Sequence, residues 1–171
     1  MRRLALSILL ALQPYTGCLA ITQKEILTHA ALDIAELYQI PKRSVPKIHV
    51  ISTHKSTQGW INYWVDNQGN TTAIGDIHIV MDEGGRVALE TLCHEMWHLK
   101  QALSNRHKIT RDNCFFFSKK ANFVLEMQAL QAVHERDYST ESIYREAEAF
   151  YMQEVTKTHP KLTKWFLLIG K

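Results

Sequence analysis

The 171-residue sequence predicts a single α+β domain with an N-terminal helix, a three-stranded, mostly antiparallel sheet, and C-terminal helices. Three observations carry this prediction. Apolar residues recur at helical spacing before residue 40 and again after residue 85. Between them lie three short segments rich in β-branched and aromatic residues. No linker, internal repeat or low-complexity tract divides the chain. With 46% hydrophobic residues, 22% charged residues and three Cys, the chain is neither a disordered tail nor a disulfide-dense scaffold.

Residues 1–20, MRRLALSILLALQPYTGCLA, read as a signal peptide. Arg2 and Arg3 form its basic end, Leu4 to Leu12 its apolar centre, and Pro14 breaks the run. Cys18-Leu19-Ala20 places small residues at the cleavage positions. Thr16-Gly17-Cys18 offers a second processing route, a lipoprotein anchored at Cys18. Either route predicts export to a periplasmic or extracellular location, with 21–171 as the folded domain. In the oxidising compartment this implies, Cys93 and Cys114 can pair or stay free. The net charge of +3 falls to about +1 once Arg2 and Arg3 are set aside, which argues against nucleic acid as partner. No apolar run reaches the roughly 18–20 residues of a membrane span.

The capping box Thr22-Gln23-Lys24-Glu25 opens a helix over 22–39. Its buried face is Ile26, Leu27, Ala30, Ala31, Ile34, Leu37 and Tyr38, and Pro41 and Pro46 mark the loop beyond. Strands follow at 47–51, 60–65 and 73–81. The last sets Ile77, Ile79 and Met81 against Asp76, His78 and Val80. Asp66 to Asn70 is turn chemistry and predicts a hairpin. A helix over 86–103 turns Ala88, Leu92, Met96, Leu99 and Leu103 to the core and Val87, Thr91, His94, His98 and Gln101 to water. A polar loop leads to Cys114-Phe115-Phe116-Phe117, read as core. A helix over 120–136 follows. Ser139 or Thr140 caps another that runs to about 157, where Pro160 stops it, and 164–169 form a short terminal helix.

The chemistry lies in His94-Glu95-Met96-Trp97-His98. Histidines at i and i+4 project from one helix face and can reach one zinc ion at about 2.0–2.1 Å. Glu95, offset around the helix, can take a proton from a metal-held water. A catalytic zinc ion normally has three protein ligands. A three-histidine continuation is excluded, because Gln101 and Ser104 stand where its Gly and His would fall. Glu146, His134 and His107 are the candidates for the third position. Glu146 is favoured because Ile143, Ala149 and Phe150 make its face apolar, where a carboxylate needs a partner. Arg145 or Lys100 could be that partner instead. Glu148, on the opposite side, reads as solvated.

HEMWH followed about 48 residues later by Glu146-x-x-Ala149 resembles the zincin metallopeptidases of the gluzincin type. The E-x-x-A spacing is similar to that of the CAAX-protease-like family and of small phage and bacterial HExxH peptidases. The resemblance implies a zincin-like fold, zinc held by His94, His98 and Glu146, Glu95 as general base, and a peptide or protein substrate. Those families usually carry Asp or Asn after the Ala, where it helps orient a ligand histidine. Phe150 stands here, so that support must come from elsewhere. In such a layout residues 74–81 would be the edge that pairs with an extended peptide. His134, Tyr138 and Tyr151 are candidates for stabilising the oxyanion. Trp97 reads as packing, Trp60, Tyr63 and Trp64 as sheet core plus one surface ring, and His78 as solvated. A catalytically inactive zincin-fold binding protein and a cell-wall amidase are the competing functions.

Overall fold

The computed structural model describes residues 21–52, 57–115, 123–136, 138 and 142–170. The expected signal peptide with Cys18, Phe116, Phe117, Ser139 and Thr140 lie outside the described residues. The elements are α1 (Gln23–Leu37), a 3₁₀ turn (Lys42–Ser44), β1 (Ile48–Ile51), β2 (Gly59–Val65), β3 (Thr71–Val80), α2 (Gly85–Leu103), α3 (Phe123–Glu135), α4 (Ile143–Lys157) and α5 (Pro160–Ile169). Among the described residues no helix is long and apolar enough to cross a membrane.

Local chemistry sets most boundaries. The Thr22 hydroxyl accepts the Glu25 N–H at 3.2 Å, and Glu25 accepts the Thr22 N–H at 2.7 Å, completing the capping box of α1. In the β2–β3 hairpin one Asp66 carboxylate oxygen accepts the N–H groups of Gln68 and Asn70 at 2.9 and 2.8 Å. Gly69 takes the left-handed conformation that this turn requires (φ 83°). Pro160 opens α5 rather than merely ending α4, so the terminal helix begins four residues before the expected 164. Proline suits the first helical position, and the His159 ring caps it by accepting the Lys161 N–H.

The sheet is mixed, which corrects the mostly antiparallel expectation. Its order is β1-β3-β2. β2 runs antiparallel to β3, but β1 runs parallel, with Ile48 opposite Ile77 and Val50 opposite Ile79. β1 and β2 are consecutive in the chain, and β3 fills the slot between them. Nothing in the local residue pattern of β1 records this, because strand direction is a property of the connection. It also corrects the edge assignment: residues 74–80 belong to the central strand, and β1 and β2 are the edges.

Helices α1 and α2 cover one face of the sheet, and α5 packs on both helices. Ile26, Leu27, Ile34, Ile77, Ile79, Leu92, Met96 and Leu162 are buried there. Leu92→Ala is expected to cost about 2–5 kcal/mol, because this densely packed layer cannot collapse around the lost volume. Urea unfolding of both proteins measures it. A second core joins Ala129 and Val133 of α3 to Ala147 and Phe150 of α4, with Ile109 and Cys114 from the preceding loop. The Tyr38 hydroxyl ties α1 to the junction of α2 and α4, 2.7 Å from the Thr156 hydroxyl and 3.3 Å from the Cys93 carbonyl. Cys93 and Cys114 are buried and not joined in a disulfide.

Helix α2 is covered nearly all round. Thr91 and Gln101, expected in water, are buried, whereas Leu103, expected in the core, is exposed at the helix end. Packing of α4 and β2 against the polar side of α2 produces this reversal.

Candidate metal centre

His94 and His98 stand one turn apart on the side of α2 that meets the first turn of α4, which brings Glu146 opposite them. The two Nε2 atoms are 3.1 Å apart, and Glu146 Oε2 lies 3.3 Å from His94 Nε2 and 3.2 Å from His98 Nε2. All three residues are buried. Ligands placed tetrahedrally about 2.0–2.1 Å from an ion are separated by about 3.3–3.4 Å. The triangle is therefore nearly one face of such a tetrahedron, and the three side chains could hold a metal ion.

The surroundings aim the donors. His98 Nδ1 meets Gln101 Oε1 at 2.8 Å. The other Glu146 oxygen accepts from the Arg145 guanidinium at 3.2 Å, and Arg145 also donates to the Tyr63 hydroxyl. His94 is set by packing instead. Its ring centroid lies 4.5 Å from that of Phe150, and its buried Nδ1 has no hydrogen-bond partner. Phe150 thus fills the place of the expected polar partner, and the support found is on His98.

Charge follows the same geometry. Burial alone would raise the Glu146 carboxyl, but His98 and His94 outweigh it and hold the group far below the usual carboxylate range. Burial alone would lower His98, but Glu146 reverses this and the ring binds a proton more tightly than a free histidine. Glu95 differs. Burial raises its carboxyl, the two histidines offset only part of this, and the Ile61 backbone N–H supports its charged form. Glu95 shares one cavity wall with Gly59, Trp60 and Ile61 of β2 and with the three cluster residues.

Two cavities meet here, with His94, Glu95, Gly59 and Tyr138 in both walls. The larger, about 780 Å³, extends toward Gln58, Arg136 and Phe150. The smaller, about 200 Å³, reaches Trp60, Tyr63 and Arg145. Gly59 permits the close approach of β2 to α2. A Cβ there would lie 2.6 Å from the Thr91 methyl group and 2.9 Å from the His78 carbonyl oxygen.

The remaining sequence candidates disperse. His134 is exposed on the last turn of α3. His107 is 2.8 Å from the Thr71 hydroxyl and stacks on Tyr63, so neither joins the cluster. Tyr151 is buried against Phe115 in the second core, which leaves Tyr138 as the oxyanion candidate at the cavities. Trp97 packs edge-on against Tyr38, as expected. Trp64 is the exposed ring of β2, and Tyr63 belongs to the site rather than to the core. His78 is stacked between Trp60 and His49 rather than solvated. Lys100 turns away from Glu146 to the Gln39 carbonyl.

Glu148 is the largest correction. It is fully buried, not solvated. It accepts from Arg106 at 2.8 Å, the Phe115 N–H at 2.9 Å, Gln101 Nε2 at 3.1 Å and Trp97 Nε1 at 3.4 Å. The loop before Phe115 folds back over α4 and supplies two of these donors. Tyr63 and Gln101 were likewise missed as site residues, whereas Arg145, named in the sequence as a possible partner of Glu146, does pair with it.

No known protein family matches the chain, and neither curated proteins nor solved structures give a match.

Proposed function

We propose that the protein is an exported, zinc-dependent peptidase of zincin type. The observation that carries this reading is a buried His94–His98–Glu146 triangle opening on two cavities, with the buried carboxylate of Glu95 beside it. Two imidazoles and one carboxylate form a common protein ligand set of catalytic zinc, in which the fourth position is left to water or substrate.

A zinc ion held there by His94, His98 and Glu146 would supply Lewis acidity and make water easier to deprotonate. Glu95 takes the proton of the attacking water, and its raised proton affinity suits both accepting that proton and passing it to the leaving amine. Arg145 fixes the outer oxygen of Glu146, leaving the inner one for the metal. The Tyr138 hydroxyl is the neutral donor available to a developing oxyanion at the junction of the cavities. Edge strand β2 offers main-chain groups to an extended peptide, which would give binding with little side-chain preference.

Casein digestion by the purified protein tests the reading. Hydrolysis abolished by a chelator and restored by zinc is expected. Release of peptides detached from their amino sugars from peptidoglycan, with casein untouched, would replace the peptidase with a cell-wall amidase.

Metal binding should depend on pH with a definite sign. Protons compete with the metal for imidazole nitrogen, and His98 holds its proton more tightly than a free histidine. Zinc affinity is therefore expected to fall as pH falls, and to begin falling above the usual histidine range near pH 6.5. Competition with a chromogenic chelator across pH measures this. An affinity independent of pH between 5 and 8 would contradict the ligand set.

A further inference from the structure

Behind His98 lies a chain of polar side chains in which each partner dictates the next. It begins at Glu148, a fully buried carboxylate surrounded by donors: the Arg106 guanidinium, the Phe115 N–H, the Trp97 indole N–H and the Gln101 side chain. A carboxylate can only accept. The nitrogen of the Gln101 amide must therefore face Glu148, at 3.1 Å, and the same nitrogen also reaches the Arg145 carbonyl at 3.1 Å. With two acceptors on that side, the amide cannot be turned round. Its oxygen must face His98 Nδ1, at 2.8 Å. An amide oxygen demands a donor, so Nδ1 must carry a proton. The Nε2 lone pair is then left to point at His94 and Glu146.

We propose that Glu148 and Gln101 form a tautomer lock, which keeps the proton of His98 on Nδ1 and its Nε2 free for a metal ion. They are positioning residues: neither touches the ion site, and both act through His98. The inference rests on the metal-centre reading and extends it. His94 has no such support, because its Nδ1 lacks a partner and Phe150 packs on its ring. The two ligands are thus held by different means, His98 by hydrogen bonds and His94 by packing. The lock also links the site to the loop that carries Arg106 and Phe115, since these residues anchor Glu148.

The test is proton–nitrogen NMR of the histidine side chains, in metal-free and zinc-loaded protein, with zinc affinity measured beside it. His98 Nδ1 is expected to carry a slowly exchanging, hydrogen-bonded proton in both forms. Gln101→Leu is expected to lose that protected proton and to weaken zinc binding by about 10–100-fold. Glu148→Gln, which keeps the volume but lets the Gln101 amide turn, should move both readouts in the same direction by less. The His94 signals should change little in either variant. A His98 Nδ1 without a protected proton in the wild type would overturn the lock, whether or not the variants fold. So would a Gln101→Leu protein with wild-type zinc affinity. A wild type that shows the protected proton but binds no zinc would sink the peptidase reading and leave the lock standing.

Discussion

Glu95→Gln is expected to lower hydrolysis by about 10²–10⁴-fold while leaving metal content unchanged. The glutamine side chain keeps the size of the glutamate, but it cannot take a proton from water. The ligand atoms of His94, His98 and Glu146 are untouched by the change. A linked effect on stability has a definite sign. Burial raises the Glu95 carboxyl above its ordinary value, so stability is lost as pH rises from the ordinary glutamate range to that raised value, and the loss is complete beyond it. Above that value the metal-free variant, which stays neutral there, is expected to melt no lower than the metal-free wild type. Activity lost together with metal would instead make Glu95 a structural residue.

Glu148→Ala is expected to be the most damaging single change outside the hydrophobic core, at about 3–5 kcal/mol. It removes the acceptor shared by Arg106, Phe115, Gln101 and Trp97, and leaves donors without partners in a dry interior. Arg106 is about one-third exposed and can turn to water, which places the expectation toward the lower end of that range. The Phe115 N–H and Gln101 are less able to escape. Urea denaturation at neutral pH measures the loss. A cost below about 0.5 kcal/mol, the usual size of a surface substitution, would mean that Glu148 is not buried as described.

The features legible in the sequence were those written in neighbouring residues. Thr22 and Glu25 marked the start of α1, Asp66 and Gly69 the hairpin, and the i,i+4 histidines the face of α2 that meets Glu146. Glu146 itself was legible because a carboxylate among Ile143, Ala149 and Phe150 needs a partner. What was missed depends on distant parts of the chain. Glu148 reads as a solvated helix residue until the loop with Arg106 and Phe115 folds over it. Gln101 sits on the polar side of an amphipathic helix, and only the arrival of α4 buries that side. The parallel pairing of β1 with β3 leaves no trace in the four residues of β1. It also makes β3 the central strand and leaves β2 at an edge, and a strand hydrogen-bonded on both sides has no groups to offer a peptide.

The central claim is that His94, His98 and Glu146 hold one metal ion. Metal content of the purified protein, read by mass spectrometry for wild type and Glu146→Ala together, tests it most directly. The account predicts about one zinc ion per wild-type chain and a sharp loss in the variant, as expected when one of three ligands is removed. A folded wild-type protein that holds no metal, even after incubation with zinc, would contradict it.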